Sequence, residues 1–469
     1  MLLTREYIDK AFWQKLITIG LPVSLQSMLF ALLGVVDIFM VSLLGESATA
    51  AVGVGNRIFF FNLAVVFGLC GAVTVLASQY YGSGNLAGIR RTLAQSWFIS
   101  ILVTLPFIVL YAIFDEEIVS FMSDDPEYVT YARDYLVVTG FSLIATAIVV
   151  PIEAVLRSVG QTKLATNVSI SAIVVNVALN YVLIFGLFGF PQWGVFGFPQ
   201  WGVFGAAVGS FVSRFFQTAV LIYFFYKRYA YLIPTKFDWV QDRLKQYRKK
   251  YFKVSLPMLV HDALWTGGLI VYSIIYGQLG VSELAIISFL SPIEGVLIST
   301  FMGFAVAASV LLGNDIGAKH YDRVEKTAWW YVLTSAILAT LLFFLVWLSS
   351  PMIHHLLVLS PLTDADMALN VCLVMALGMI LRVFNMVGIG GVLKSGADIR
   401  YSIFIDTFGQ WAIGIPLTYY TGMVLGLPLH FVLMSLLAEE LVKGVLTTYR
   451  IQSKRWINNM VEDDQSVTA

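Results

Sequence analysis

Three polar side chains fall inside apolar stretches where a bilayer would be the solvent. Asp37 is the one charged residue in 16–44, LITIGLPVSLQSMLFALLGVVDIFMVSLL. A carboxylate near the centre of a lipid-embedded helix costs roughly 2.5–3.5 kcal/mol on insertion scales. A chain that keeps one there uses it or pairs it. Asn176 and Asn180 are four residues apart and share a helix face. Asp37 lies eight residues before Gly45, ~12 Å along a helix, and Asn180 six before Gly186, ~9 Å. The two groups therefore reach a similar depth if their helices run the same way. An amide hydrogen-bonds a carboxyl group in either protonation state, while burial and neighbouring charge decide which state the acid adopts. A site that holds a proton or a cation, and both only poorly, is the least machinery an antiporter needs. Pro22, fifteen residues before Asp37, frees a carbonyl and makes a bend point. The same residues would also make a static packing pair, with Asn176 as glue between helices.

These groups need helices to hold them. The chain has 469 residues, 58% hydrophobic and 12% charged, with mean hydropathy +0.81. Soluble domains carry about 25% charge, so the composition predicts a polytopic membrane protein. A net charge of +0 leaves no basic footprint for nucleic acid. Cys70 and Cys372 sit in apolar runs and read as small core residues without a disulfide. Residues 1–14, MLLTREYIDKAFWQ, lack a cleavable signal pattern, so the first apolar run is expected to be a retained helix. Apolar runs place twelve spans near 16–44, 51–78, 92–114, 128–150, 163–187, 204–226, 252–279, 284–312, 327–349, 367–393, 401–423 and 430–450. The runs are continuous, not alternating, which excludes a strand barrel.

Charge between the spans sets orientation. Arg90, Arg91, Arg157, Lys163, Lys319, Arg323, Lys326, Lys394, Arg400, Lys454 and Arg455 fall on one side, with the basic stretch 227–253. Glu46, Asp115, Glu116, Glu117, Asp124, Asp125, Glu127, Glu283, Asp364 and Asp366 fall on the other. Both termini are expected to be cytoplasmic, in a plasma (inner) membrane. The chain also repeats. Leu21-Pro22 recurs as Leu256-Pro257, Gly45 as Gly280, Gly68 as Gly303 and Gly82 as Gly317, always at offset 235; Val155–Ser158 recurs as Val392–Ser395 at offset 237. The expected architecture is an all-α membrane protein of twelve transmembrane helices in two pseudo-symmetric six-helix lobes, a parallel repeat about the membrane normal. Its divisions are an N-terminal lobe over 1–226, a cytoplasmic basic linker over 227–251 and a C-terminal lobe over 252–469. The lobes differ chemically: Asp37 corresponds to Tyr272, and Asn176 and Asn180 to Ile413 and Leu417. Coupling is therefore expected in the N-terminal lobe. Phe188–Val195 and Phe196–Val203 both read FGFPQWGV. Such a duplication is most simply a tolerated loop insertion; the alternative is an external flap carrying Trp193 and Trp201.

Other charges in the spans are His261, Asp262, Glu294, Arg382 and Asp406. Asp262, Arg382 and Asp406 either line a cavity in the C-terminal lobe or form pairs between helices. Arg57, Glu439, Glu440 and Lys443 are expected to pair, snorkel or orient helix ends. No H-E-x-x-H occurs, and His354-His355 lacks acid partners at helical spacing, so the sequence argues against a membrane enzyme and assigns no metal site or cofactor. A titratable group beside a proline hinge suits a two-state carrier better than a channel.

With those residues in hand, the chain resembles the MATE (multidrug and toxic compound extrusion) transporters over essentially its whole length. The features are Gly20-Leu21-Pro22 followed by Asp37, SQYYGSGN at Ser78–Asn85 before Arg90-Arg91, VLRSVGQT at Val155–Thr162, Asn176 and Asn180 before NYVLIFG, and GVFGAAVGS at Gly202–Ser210. It looks nearest the DinF-type branch. The resemblance implies two V-shaped lobes and proton- or sodium-driven export of cationic drugs from a monomer in the lipid bilayer. It also implies Asp37 as protonation site, Asn180 and Asn176 as its hydrogen-bond partners lining the substrate cavity, and Pro22 as the point where the first helix bends. NorM-type members place a cation site on acids of the seventh and tenth spans; here the tenth carries Arg382 and Asn385 and no acid. Proton coupling is thus expected over sodium. A lipid-linked oligosaccharide flippase of the same superfamily is the remaining alternative; it would need a basic cavity for phosphate. A major-facilitator carrier would need an Asp within Gly82–Arg91, which has none.

Overall fold

The computed structural model describes residues 6–120, 125–185, 201–239, 241–360, 362 and 364–462. Among them every regular element is helical. The first half holds α1 (Lys10–Ser42), α2 (Glu46–Gly82), α3 (Leu86–Ile113), the short α4 (Asp115–Ser120), α5 (Pro126–Ser158), α6 (Thr162–Phe185) and α7 (Gly202–Arg228). Short 3₁₀ turns at Ala230–Leu232 and Lys236–Trp239 lead to α8 (Gln241–Leu279), α9 (Val281–Gly317), α10 (Tyr321–Leu348) and the short α11 (Ser350–Val358). Next, α12 (Ala365–Asn385) runs on as a π-helix to Leu393. Then α13 (Ile399–Thr407) and α14 (Ile415–Tyr419) are joined by a π stretch at Phe408–Gly414, and α15 (Leu429–Gln452) closes the fold. Among the described residues ten helices are long and apolar enough to cross a membrane by themselves. The π-interrupted α13–α14 run and α15, which carries Glu439, Glu440 and Lys443, complete the expected twelve. Several helices outrun their apolar stretch by a turn or two, and some of these ends carry polar caps. Asp125, for example, accepts a hydrogen bond from Tyr128 N at 2.8 Å and is followed by Pro126 at the first helical position. Large apolar side chains such as Phe39, Leu341 and Leu345 lie exposed on the helix surfaces, as suits a chain solvated by lipid.

The repeat is visible in the backbone. The chain turns with positive φ at Gly84 (72°) and, 235 residues on, at Lys319 (61°). It does so again at Gly160 (75°) and, 237 residues on, at Ala397 (54°). The hydrogen bonds repeat too: Asn85 N to Tyr80 O matches His320 N to Asp315 O, both 2.9 Å, and Gln161 N to Leu156 O matches Asp398 N to Leu393 O. These are helix-ending loops that favour glycine. The second half keeps their shape with Lys and Ala, at a local cost of about 1–2 kcal/mol.

Packing divides the chain differently from the repeat. One unit, here the N-terminal unit, holds 28–77 and 86–255; the C-terminal unit holds 1–27, 78–85 and 256–469. Both α1 and α8 pass from one unit to the other within a few residues of Pro22 and Pro257. In the C-terminal unit, Phe12, Leu16 and Ile19 of α1 pack with Ala305, Ala308, Val332 and Val387. The last turn of α2 crosses α9 backbone to backbone. A Cβ at Gly82 would stand 1.9 Å from Asn314 O, and one at Gly317 1.9 Å from Gln79 O. In the N-terminal unit, the basic stretch after α7 is fastened down. Asp238 is buried and accepts from Thr235 N (2.8 Å), Thr235 Oγ1 (2.7 Å) and Arg90 Nε (2.9 Å). Burial pushes its carboxyl up, but these bonds and the Arg90 charge outweigh it and hold the group below the usual carboxylate range. Tyr251 continues the attachment, donating to Leu69 O at 2.7 Å.

The glycine crossing predicts a position-specific effect. Gly317→Ala should destabilise by about 1–3 kcal/mol through overpacking, seen as a lower thermal midpoint. Gly53→Ala, where a Cβ meets nothing within 4 Å, should not; equal midpoints for the two variants would contradict the crossing.

Candidate functional site

The N-terminal unit brings together the three polar residues singled out above. Asn180 Nδ2 donates to Asp37 Oδ1 at 2.8 Å and to Asn176 Oδ1 at 3.2 Å. Asn176 Nδ2 donates onward to Ser210 Oγ and Ser213 Oγ, both at 3.3 Å. A single polar chain thus runs from α1 through α6 to α7. The two amides are buried, at 1% and 3% exposure, while the Asp37 residue is only half-buried. Among the described residues Asp37 forms no ion pair within 4.0 Å. It is therefore neither sealed in apolar packing nor locked to an arginine. Gly34, one turn before it on the same face, leaves open space: a Cβ there meets nothing within 4 Å. On the other side α7 comes close because Gly209 lacks a side chain, and a Cβ there would stand 2.2 Å from Asn180 Oδ1. Tyr135 of α5 supports the group. Its hydroxyl donates to Asn56 Oδ1 at 2.7 Å, bonds with Ser210 and lies within electrostatic reach of Asp37.

Pro22 lies inside an α1 that is helical from Lys10 to Ser42. The part before the change of unit is held to α9: Ser24 Oγ donates to Thr300 O at 2.5 Å, and Gly20 packs on Gly303. The part after it carries Asp37 and is held to α6.

Three further polar residues of this unit escaped the sequence reading. Glu153 of α5 is buried, accepts from Ser169 Oγ at 2.8 Å and lies 3.6 Å from Arg157 Nη1. Gln217 Nε2 reaches Glu153 Oε1 at 3.3 Å, and Gln217 Oε1 accepts from Arg214 Nη1 at 3.1 Å. Arg214 was as legible as Asp37, a lone charge inside an apolar run, and the rule that singled out one would have found the other. The pair Glu153 and Arg157 was masked by reading Arg157 only as a loop cation.

The remaining charged residues join in the C-terminal unit. His261 bridges two carboxylates, with Nδ1 2.8 Å from Asp262 Oδ1 and Nε2 2.6 Å from Asp406 Oδ2. Lys443 Nζ stands 3.5 Å from Asp406 Oδ1 and 2.6 Å from Glu439 Oε1. Glu439 in turn accepts from the hydroxyl of Tyr272, the residue matched to Asp37 by the repeat. Arg382 pairs with Glu294 and lies 3.8 Å from Glu440 Oε1, while Glu440 Oε2 accepts from Asn385 Nδ2 at 2.7 Å. Glu439, Glu440 and Lys443 were expected to pair, snorkel or orient helix ends; Lys443 does pair with Glu439, and all three sit buried in the middle of α15. Of the duplicated loop, 186–200 with Trp193 lie outside the described residues; Trp201 N donates to Leu183 O at 3.0 Å.

A sequence profile of the MatE family matches residues 22–182 and 257–420, one match in each half. The chain belongs to this family and is a multi-pass membrane transporter. It is 25% identical over 460 residues to the "Uncharacterized transporter YisQ" of Bacillus subtilis, with 96% of each chain covered. It is 25% identical over 411 residues to "Multidrug and toxin extrusion protein 2" of Mus musculus, covering 86% of this chain and 67% of that one. A crystal structure described as MATE in the bent conformation superposes with a TM-score of 0.83 at 17% identity, covering 94% of this chain and 96% of that one. The shared fold is the twelve-helix one.

The Gly209 contact makes the site testable without touching a polar residue. Gly209→Ala should push the Asn180 amide off Asp37 and change the rate at which a carbodiimide labels that carboxyl severalfold, read by mass spectrometry. An unchanged labelling rate in the folded variant would contradict the contact.

Proposed function

We propose that this chain is a multidrug efflux antiporter of a plasma (inner) membrane, both termini cytoplasmic, exporting organic cations and other drugs in exchange for protons. The observation that carries this reading is the half-buried Asp37 carboxyl, hydrogen-bonded to an amide and without an ion-pair partner among the described residues. Such a group takes up a proton or a guest cation without first breaking a salt bridge. The names of its relatives support drug export. In the proposed cycle a drug cation reaches ionised Asp37 from the cytoplasmic side. The transporter turns outward, a proton from outside neutralises Asp37, α1 bends near Pro22, and the drug leaves. The anchoring of α1 before Ser27 to α9, and after it to α6, supports a hinge there, because each part is held by different partners. One monovalent cation out for one proton in moves no net charge, so ΔpH alone drives it, at about 1.4 kcal/mol per pH unit.

A second reading rests on the C-terminal unit. Asp262, Glu294, Asp406, Glu439 and Glu440 outnumber Arg382 and Lys443 in two ion-pair clusters, one of them with His261, that adjoin at Glu439-Glu440. A surplus of carboxylates suits a sodium-coupled exporter of the same fold. The flippase reading loses support, because Arg382, an intramembrane arginine that could with Arg57 serve a basic cavity, is already engaged by Glu294 and Glu440.

Asp37→Asn in proteoliposomes should abolish ΔpH-driven drug export, at least a hundredfold below wild type, while the protein still inserts and runs as a single species. Retained export would rule out the Asp37 role. Export driven by an imposed sodium gradient with ΔpH collapsed, and lost on Asp406→Asn, would favour the C-terminal site instead.

A further inference from the structure

Arg214 occupies a built seat that the proton-exchange reading does not use. Its guanidinium carbon stands 5.2 Å over the centroid of Phe30 on α1. Its Nη1 donates to Gln217 Oε1 at 3.1 Å, and Gln217 Nε2 is tied to Glu153 Oε1 at 3.3 Å and Ser169 Oγ at 3.0 Å. The seat is thus fixed from below by a hydrogen-bonded amide and from above by an aromatic face. Glu153 already faces Arg157 on its own helix at 3.6 Å, and among the described residues Arg214 itself forms no ion pair within 4.0 Å. Its positive charge is held in place without a contact ion pair, with Glu153 and Asp37 both within electrostatic reach.

The position of that charge relative to Asp37 is set by α1. Phe30, Gly34, Asp37 and Val41 recur at helical spacing and share a face. Phe30 is seven residues from Asp37, ~10 Å along the axis. Between them lies the open space left by Gly34. One end of this stretch therefore presents a carboxylate, and the other an aromatic ring already capped by a cation.

We propose that Arg214 is a specificity-determining residue that limits the N-terminal site to guests with one positive charge and rejects dications. A monocation places its charge at Asp37 and its apolar body over the Gly34 gap. A dication of drug size places its second charge beside the guanidinium, where two like charges ~5 Å apart weaken binding on the order of a hundredfold. The proposal rests on the reading of Asp37 as the cation site, and it names the class of guest that site accepts.

Ethidium and propidium share a phenanthridinium ring and carry one and two positive charges, so they isolate the effect. Their affinities are measured by fluorescence titration on the full-length protein in lipid nanodiscs. Wild type should prefer ethidium at least tenfold. Arg214→Gln should bring the two affinities within about threefold, and Arg214→Lys, which keeps the charge, should retain the preference. Equal binding of both dyes by wild type would overturn the proposal, and so would a folded Arg214→Gln protein that keeps the wild-type ratio. If Arg214→Gln does not fold, the wild-type ratio and the Arg214→Lys ratio decide, and loss of preference in Arg214→Lys overturns it. Asp37→Asn separates the two levels. If it abolishes ethidium binding while Arg214→Gln keeps the ratio, the Arg214 proposal fails alone. If Asp37→Asn binds ethidium like wild type, the Asp37 reading fails and this one with it.

Discussion

A carboxyl group inside an apolar helix bundle must be accommodated both with and without its proton, and the N-terminal unit is built around that requirement. A guanidinium or ammonium partner would stabilise only the charged form, and apolar packing only the neutral one. An amide serves both, because it presents a donor and an acceptor on one side chain. Asn180 supplies that amide, Asn176 orients it, and Ser210 and Ser213 anchor Asn176. The absence of a side chain at Gly209 lets α7 approach closely enough for the chain to close. Glu153, Gln217 and Arg214 form a second polar layer in the same unit.

The two halves solve the problem of buried charge differently on one backbone plan. The repeated turns at Gly84 and Lys319, and at Gly160 and Ala397, keep the same hydrogen bonds despite different residues. Within that plan the acid of the first half became Tyr272 in the second, and its hydroxyl bonds to Glu439 of another helix. The C-terminal unit holds its acids in ion-paired clusters, whereas the N-terminal unit leaves Asp37 hydrogen-bonded to Asn180 with Arg214 within electrostatic reach but no contact ion pair. A networked acid resists changing its proton, since each neighbour must readjust, and a singly bonded one changes it at small cost.

Much of this was legible in the sequence because a bilayer makes simple demands. Twenty apolar residues announce a span, and an acid inside one announces a special position. Helical rise counted from the same membrane face put Asp37 and Asn180 at a similar depth, and the family resemblance implied their hydrogen bond. The network around His261, Asp406, Lys443 and Glu439 did not follow, because it joins three helices whose rotations the repeat alone does not fix. Arg214, a lone charge inside an apolar run, was legible on the same rule as Asp37; its place over Phe30 was not, because that depends on how two helices face each other. Division into packing units was also beyond the sequence, since it depends on close backbone approaches at Gly82, Gly303 and Gly317.

The central claim is that one carboxyl group binds either a hydrogen ion or a positively charged guest. Its most direct test is the dissociation constant of a monovalent dye, measured across the pH range on purified protein without any gradient. Strict competition predicts a tenfold weaker affinity for each unit of acidification below the titration of Asp37, a plateau above it, and one proton released per dye bound. A dissociation constant that stays flat across that range, with no proton released, would contradict the account.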